Sequence, residues 1–326
     1  MPERPGADIA RRLRIALIVV LSVVLVLLIA SIWWVLSTNN KIDRLPEEET
    51  SGLTAPITDA TTILIVGSDS RENIGDLEGN FGRFGGARTD VIMLARIDPD
   101  TGIHLMSIPR DLLVDIPGRD PNRVNAAFVF GGSDLLIETV QQELAIDINH
   151  YVEIDFAGFA NIVDSLGGVT YEFSNPARDN KSGLSVDAGR ATLDGAQALA
   201  YVRSRQCQEL QNGEWKTVGG SDIGRTRRQQ LMMLALFDEA TSRSNPLDLQ
   251  SFASSVAEQI TVDSGLSLGR LIDLGRIVIG LESKNIHTTT LPVEGARVDG
   301  REVVVPVDGQ YEAVIESFRT GAPYPR

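Results

Sequence analysis

The stretch 61-TTILIVG-67 is a short apolar run that ends on a glycine, the signature of a buried strand. A second apolar run, 91-VIMLARI-97, follows a glycine-rich loop, 72-ENIGDLEGNFGRFGGA-87. Asp98-Pro99-Asp100-Thr101-Gly102 reads as a hairpin turn into 103-IHLMSI-108. Downstream, helical signals at Val124–Phe130 and Asp134–Leu144, with Ser133 as N-cap, lead to a strand at 150-HYVEID-155. A helix carrying Phe156, Phe159, Val163 and Leu166 on one stripe then stops at Gly167-Gly168, before a strand at 169-VTYEF-173. Residues 174–192 read as a polar loop. Asp194 and Asp222 each precede a helical pattern, two more helical stretches fall near Leu247–Ile260 and Leu268–Leu281, and strands over 285–307 precede a closing helix. Strands and helices mixed in this order predict an α/β fold with α/β/α layering.

Upstream of this domain, residues 15–36 read IALIVVLSVVLVLLIASIWWVL, with no charge and only Ser22 and Ser31 polar. At a helical rise of ~1.5 Å per residue the run spans roughly 33 Å, about one hydrocarbon core. Arg11, Arg12 and Arg14 precede it and STNNK follows, so the positive-inside rule predicts a cytoplasmic N-terminus (1–14), a transmembrane helix (15–36) and an extracellular remainder. A cleaved signal peptide fits less well, because its apolar core is only ~7–15 residues long and a small-residue cleavage site follows it. The polar, proline-containing segment up to residue 60 reads as a solvated stalk (37–60), and 61–326 as one domain.

Net charge is −14, and residues 1–50 contribute nothing to it, so the outer domain is acidic and a nucleic-acid partner is excluded. Cys207 is the only cysteine, which rules out an intramolecular disulfide; no histidine lies near it in sequence to serve a nucleophile. Lysine occurs only at 41, 181, 216 and 284, so nearly every basic residue is arginine. A GC-rich genome accounts for that bias but not for where the arginines fall.

Asp69 stands just past the first strand and Asp90 just before the second, a placement that suits two carboxylates sharing Mg²⁺, or Mn²⁺ in its place. On spacing alone, turn-capping carboxylates are the better explanation of the pair. Arg71 and Arg88 each lie two residues from one of these aspartates. Arg110 follows Pro109 at a strand end; Arg203 and Arg205 alternate in 201-YVRSR-205, pointing the same way if that stretch is extended. Arg225, Arg228 and Gln229 share a helix face, with Arg227 elsewhere. Arginine's planar fork pairs with phosphate oxygens, so the cluster suits a polyanion bound with a metal; surface ion pairing is the plainer reading.

Taken in order, ILIVGSDSR (63–71), ARTDVIMLARID (87–98), LMSIPRDLLVDIPG (105–118), RVNAAFVFGG (123–132), INHYVEIDFAGFANIVDSLGGV (148–169), LDGAQALAYVRSR (193–205) and DIGRTRRQQ (222–230) resemble the LytR-CpsA-Psr family of bacterial cell-wall ligases. The resemblance implies a central mixed sheet between helices and an apolar cleft for a polyprenyl tail. It also implies a reaction: a glycopolymer moves from a polyprenyl pyrophosphate carrier to a peptidoglycan sugar hydroxyl at the plasma membrane. Through it, Asp69 and Asp90 become metal ligands, and Arg88, Arg110, Arg203, Arg205, Arg225 and Gln229 grip the pyrophosphate, with Arg71, Arg123 and Asn125 lining the same cleft. Arg228 joins the pyrophosphate set, and Arg110, Asp90 and Arg88 form the catalytic group. Phe159, Val163, Leu231, Leu234 and Phe237 are the candidates for the lipid cleft, although each could equally be ordinary core. The family often has lysine at the position of Arg123, and the segment 206–221, with Cys207 and Trp215, looks expanded and is expected over the cleft. A pyrophosphatase acting on the same carrier and a tethered, non-catalytic regulator are the competing readings.

Overall fold

The computed structural model describes residues 37–68, 89–218, 222–242, 246–279 and 285–325. The apolar run 15–36, the glycine-rich loop 72–87, Asp69, Arg71 and Arg88 lie outside the described residues. Among the described residues no helix is long and apolar enough to cross a membrane. Contacts within the chain separate Met1–Lys41 from one compact unit, Ile42–Arg326.

That unit is built on a seven-stranded sheet. Its strands, labelled along the chain, are β1 (Asp43–Arg44), β2 (Thr61–Ser68), β3 (Thr89–Asp98), β4 (Gly102–Ser107), β5 (His150–Asp155), β6 (Ile260–Val262) and β7 (Ile286–Thr290). Their order across the sheet is β1-β6-β5-β2-β3-β4-β7. β2 and β5 run parallel, whereas β3 is antiparallel to both β2 and β4, which makes the sheet mixed. The helices are α1 (Val124–Leu144), α2 (Phe156–Ser165), α3 (Gly195–Arg203), α4 (Asp222–Thr241), α5 (Pro246–Ala257), α6 (Leu268–Ile279) and α7 (Gln310–Thr320).

Alternation along the central strands sorts their side chains between two cores. Leu64, Val66, Ile92, Leu94 and Met106 pack with Leu136, Ile137 and Val140 of α1 and with Val314 and Phe318 of α7. On the opposite face, Ile63 and Ile97 meet Ile162 of α2, Ala257 of α5 and Leu274 of α6. Helices therefore cover both faces, as the order of elements predicts.

Three expectations need correction. The segment foreseen as a solvated stalk is docked from Ile42 onward: Ile42 is buried, Asp43 and Arg44 pair in parallel with β6, and Ser51 Oγ and Gly52 N both donate to Asp134. The two helical signals at 124–144 are two helices in continuous succession, separated as expected by non-helical backbone at Gly131 and Gly132, the latter at φ +66°; the cap between them differs. Ser133, expected as an N-cap, instead donates to the carbonyl of Glu49 at 2.7 Å and so fastens the docked segment. Finally, 174–192 is not a loop. Strands at Ala177–Asp179 and Leu184–Val186 join the hairpin Gln208–Gln211/Glu214–Thr217 in a small sheet, and Gly189–Leu193 pairs with Val169–Phe173.

The β5–β6 junction is held by a buried polar contact. Asp263 lies 3.1 Å from His150 Nδ1 and accepts from the backbone N–H groups of Tyr151 and Gly265. Burial alone would raise the Asp263 carboxyl, but these hydrogen bonds and the charge interaction with His150 hold it below its ordinary value. The stability this gives is present above the ordinary carboxylate pKa of about 4 and is lost as pH falls through the lower folded value. Asp263→Asn should therefore cost about 1–3 kcal/mol at neutral pH. Urea midpoints measured down a pH series should also fall less steeply below about pH 4 for this variant than for the wild type.

Candidate active site

β2 and β5 both end at their carboxyl edge in the middle of the sheet, and their register aligns Ser68 with Asp155. The crevice beyond such strand ends is where α/β sheets place their sites. β3 enters at the same edge through an irregularity: Gly67 pairs with Val91 and Ser68 with Thr89, leaving Asp90 as the extra residue of a β-bulge. A bulge redirects the side chain of its unpaired residue. Gly67 is required opposite it, because a Cβ there would lie 2.9 Å from that of Val91.

The redirected Asp90 carboxylate is the centre of a cationic cluster. Arg110 donates to its Oδ1; Nη2 of Arg205 stands 3.7 Å and Nη1 of Arg225 3.9 Å from the same oxygen. These arginines come from the turn after β4, the turn after α3 and the first turns of α4, so one carboxylate gathers three separate parts of the chain. Arg225 is buried, whereas Arg205 is partly exposed. Next to them, Asp111 lies 3.6 Å from Nε of Arg110 and 3.3 Å from Nη1 of Arg123. Three guanidinium groups against one carboxylate leave an excess of positive charge suited to an anion with several oxygens.

An apolar cavity adjoins this cluster. Asp90, Arg203, Arg225 and Gln229 border it on the polar side, and Phe156, Phe159, Leu199, Val202 and Met233 are among its apolar walls. Arg203 stacks over the Phe156 ring at 4.6 Å. Asp155, absent from the sequence candidates, also lines this cavity and caps α2 by accepting from Gly158 N at 2.6 Å. Its signal was available: it ends a strand just before a helix.

The remaining candidates divide. Arg227 is exposed, as expected of its position on α4. Arg228, placed with Arg225 and Gln229 by spacing, is buried and donates to the carbonyl of Ser204. At about 100° per residue, Gln229 and Arg228 fall on opposite flanks of Arg225, and only Gln229 reaches the cavity. Arg123 donates to the Glu302 carbonyl as well as meeting Asp111, which ties the strand Arg301–Pro306 to the site. Asn125 contributes a backbone N–H to the carbonyl of Arg110 at 3.2 Å. Arg203 closes α3, and the chain turns at Ser204, so 201–205 is not a strand; Arg203 and Arg205 nevertheless both reach the site.

Of the five cleft candidates only Phe159 lines the cavity. Val163 is wholly buried in the core between α2 and α3, and Phe237 packs on Met93 and Ala95. Leu231 and Leu234 fall on the far side of α4 from Gln229 and Met233, which follow Arg225 at successive four-residue steps. The hairpin at 208–217 lines none of the cavity, contrary to expectation, and Cys207 is buried beside it with its thiol pushed up by burial.

Magnesium takes one or two carboxylates and completes its shell with phosphate oxygens and water. Asp90 offers one carboxylate, and among the described residues no group of three His, Cys, Asp or Glu side chains could hold a metal alone. The described residues thus offer one carboxylate at this point, already facing Arg110, Arg205 and Arg225.

A cationic pocket opening onto an apolar cavity, at the carboxyl edge of a mixed sheet, has the chemistry that suits an amphiphilic phosphate. The comparisons narrow this reading. The family model described as the LytR_cpsA_psr family matches residues 35–320. The chain is 34% identical over 309 residues to the probable cell wall biosynthesis protein LcpB of Corynebacterium glutamicum, covering 92% of this chain and 70% of that protein. It is 32% identical over 244 residues to the polyisoprenyl-teichoic acid–peptidoglycan teichoic acid transferase TagU of Oceanobacillus iheyensis, covering 73% and 68%. Among solved structures, a LytR-Csp2A-Psr enzyme from Actinomyces oris aligns with a TM-score of 0.67 and 29% identity, over 85% of this chain and 96% of that one. The chain belongs to the LytR-CpsA-Psr family.

Because Asp90 competes with any anion for the arginines, its neutralisation should strengthen anion binding when no metal is present. In metal-free buffer, Asp90→Asn is expected to bind inorganic pyrophosphate more tightly than wild type by about 1 kcal/mol, roughly fivefold, in calorimetric titration. Arg225→Ala should bind it more weakly.

Proposed function

We propose that this chain is a phosphotransferase: it moves a glycopolymer from a polyprenyl pyrophosphate carrier onto a sugar hydroxyl of peptidoglycan, forming a phosphodiester and releasing polyprenyl phosphate. One observation carries the reading. The arginine-ringed carboxylate of Asp90 opens directly onto the apolar cavity, so a single ligand can place a pyrophosphate at the arginines and its hydrocarbon tail against Phe159 and Met233. The activity of relatives such as TagU, a polyisoprenyl-teichoic acid–peptidoglycan teichoic acid transferase, supports the same direction.

Phosphoryl transfer asks little covalent chemistry of a protein and much alignment and neutralisation of charge. Arg110, Arg205 and Arg225 grip the pyrophosphate oxygens and stabilise the charge that gathers on the departing phosphate, with Arg88 and Arg71 as further contacts by position in sequence. Arg203 and Phe156 close one side of the cavity mouth, and Gln229 offers an amide at the junction of charge and hydrocarbon. Asp69 and Asp90 would hold Mg²⁺, with Mn²⁺ as an alternative, supplying further charge neutralisation at the phosphate oxygens. The apolar run 15–36 would tether the unit to the outer face of the plasma membrane, its N-terminus cytoplasmic, within reach of a membrane-embedded donor.

The test is reconstitution with a polyprenyl-pyrophosphoryl glycan, peptidoglycan oligomers and Mg²⁺. Glycan joined covalently to the oligomer is the expected product; free glycan phosphate alone would mean a pyrophosphatase, and no turnover a binding protein. Arg110→Ala and Asp90→Ala should each lower turnover by about 10²–10³. Met233→Trp, which fills the cavity, should weaken binding of a prenyl pyrophosphate at least about tenfold, whereas Leu231→Trp should leave it nearly unchanged.

A further inference from the structure

The arginine cluster has a second side. Asp90, Val91, Arg225 and Gln229 border not only the apolar cavity but also a second, smaller one, so these side chains stand between the two. The second cavity differs in character. Ser107, Thr226 and Thr290 bring hydroxyls to it, Arg110 and Asp111 line it, and Val293 and Val304 form part of its wall. Gln230, buried on α4, donates to Ser107 Oγ at 3.0 Å and to Thr290 Oγ1 at 3.1 Å. Two amide protons are shared among Ser107 Oγ, Thr290 Oγ1 and the Thr289 carbonyl, so the Ser107 and Thr290 hydroxyls retain capacity to bond a ligand. Such short donors and acceptors beside a carboxylate suit sugar hydroxyls.

We infer that this second cavity is the acceptor subsite, which receives the sugar hydroxyl of the acceptor glycan. The inference rests on the transferase reading above and adds to it the place from which attack comes. In-line displacement requires the entering and leaving oxygens on opposite sides of the phosphorus. With the prenyl tail in the apolar cavity, the polyprenyl phosphate departs on that side, and the entering oxygen must come from across the Asp90–Arg225–Gln229 partition. The acceptor oxygen then bonds to the glycan-bearing phosphorus while the bond from that phosphorus to the bridging oxygen breaks. The bond pair stays with the bridging oxygen, and the acceptor proton ends on the released polyprenyl phosphate, so atoms and charge balance. Gln230 is a positioning residue in this arrangement: it also donates to the Thr289 carbonyl, and so holds α4 against the ends of β4 and β7 that wall the subsite.

The test uses the full-length chain in detergent, a short-chain polyprenyl-pyrophosphoryl N-acetylglucosamine as donor and uncrosslinked peptidoglycan oligomers as acceptor. Val293→Phe and Val304→Phe crowd the cavity from its wall; Thr226→Val keeps its shape and removes one hydroxyl. The expected result is a rise of at least about tenfold in KM for the oligomer, or an equal fall in transfer, in the two Phe variants. A smaller rise is expected in Thr226→Val, with donor affinity within about twofold of wild type throughout. Retained donor affinity also shows that the variants are folded. Wild-type KM for the oligomer in all three variants would overturn the inference and leave the transferase reading standing. Loss of donor binding in step with transfer in all three would also overturn it, because the two cavities would then be one site. A wild-type chain that releases glycan phosphate to water and never labels the oligomer would remove the transferase reading, and the acceptor subsite with it.

Discussion

The site depends on one carboxylate facing several guanidinium groups. Arg110, Arg205 and Arg225 reach Asp90 from three elements far apart in sequence, and without it they would repel one another. In an unshielded interior that repulsion would be severe; near a surface it is reduced but still unfavourable. Asp90 thus makes the cluster possible in the unliganded protein and is the group that a pyrophosphate must rival. Its position is fixed by backbone geometry, because the bulge in β3 turns it toward the arginines and Gly67 leaves room for Val91 to come close.

The rest of the unit holds α4 in register with that point. Its first turns carry Arg225 to the carboxylate, its next turn presents Gln229, and Met233 one turn further faces the apolar cavity. Gln230 latches the helix to the ends of β4 and β7, and Arg228 latches it to the end of α3 through the Ser204 carbonyl. One helix face therefore runs from charge to hydrocarbon, in the order in which a prenyl pyrophosphate presents its own groups. The chain as a whole carries a net charge of −14, so this cationic pocket is a local exception in an acidic protein.

Much of the architecture was legible in the sequence because two central strands, within 61–67 and 91–97, are mostly buried and read as apolar runs; 150–155, though it carries His150, Glu153 and Asp155, reads as a strand before a helix and lies in the main sheet. Peripheral pieces were not. Asp43 and Arg44 form a strand through backbone pairing alone, and Ile42 is a single apolar anchor in a polar stretch, so composition reads the segment as solvated. The strands within 174–192 are short and polar for the same reason. The arginines of the site were legible as ordered motifs, whereas the bulge that aims Asp90 leaves no trace in composition. Phe159 lines the cavity as expected, whereas on α4 helix phase decides: Leu231 and Leu234 are as apolar as Met233, and only the rotation of α4 against the sheet determines which of them meets the cavity.

The central claim is that one ligand spans the arginine cluster and the apolar cavity. It is tested most directly by a crystal structure of this chain with a prenyl pyrophosphate bound. The account predicts phosphate oxygens within hydrogen-bond distance of Arg110, Arg205 and Arg225, and the hydrocarbon chain lying past Phe159 and Met233. A pyrophosphate seated away from Asp90, or a prenyl chain lying outside the cavity, would contradict it.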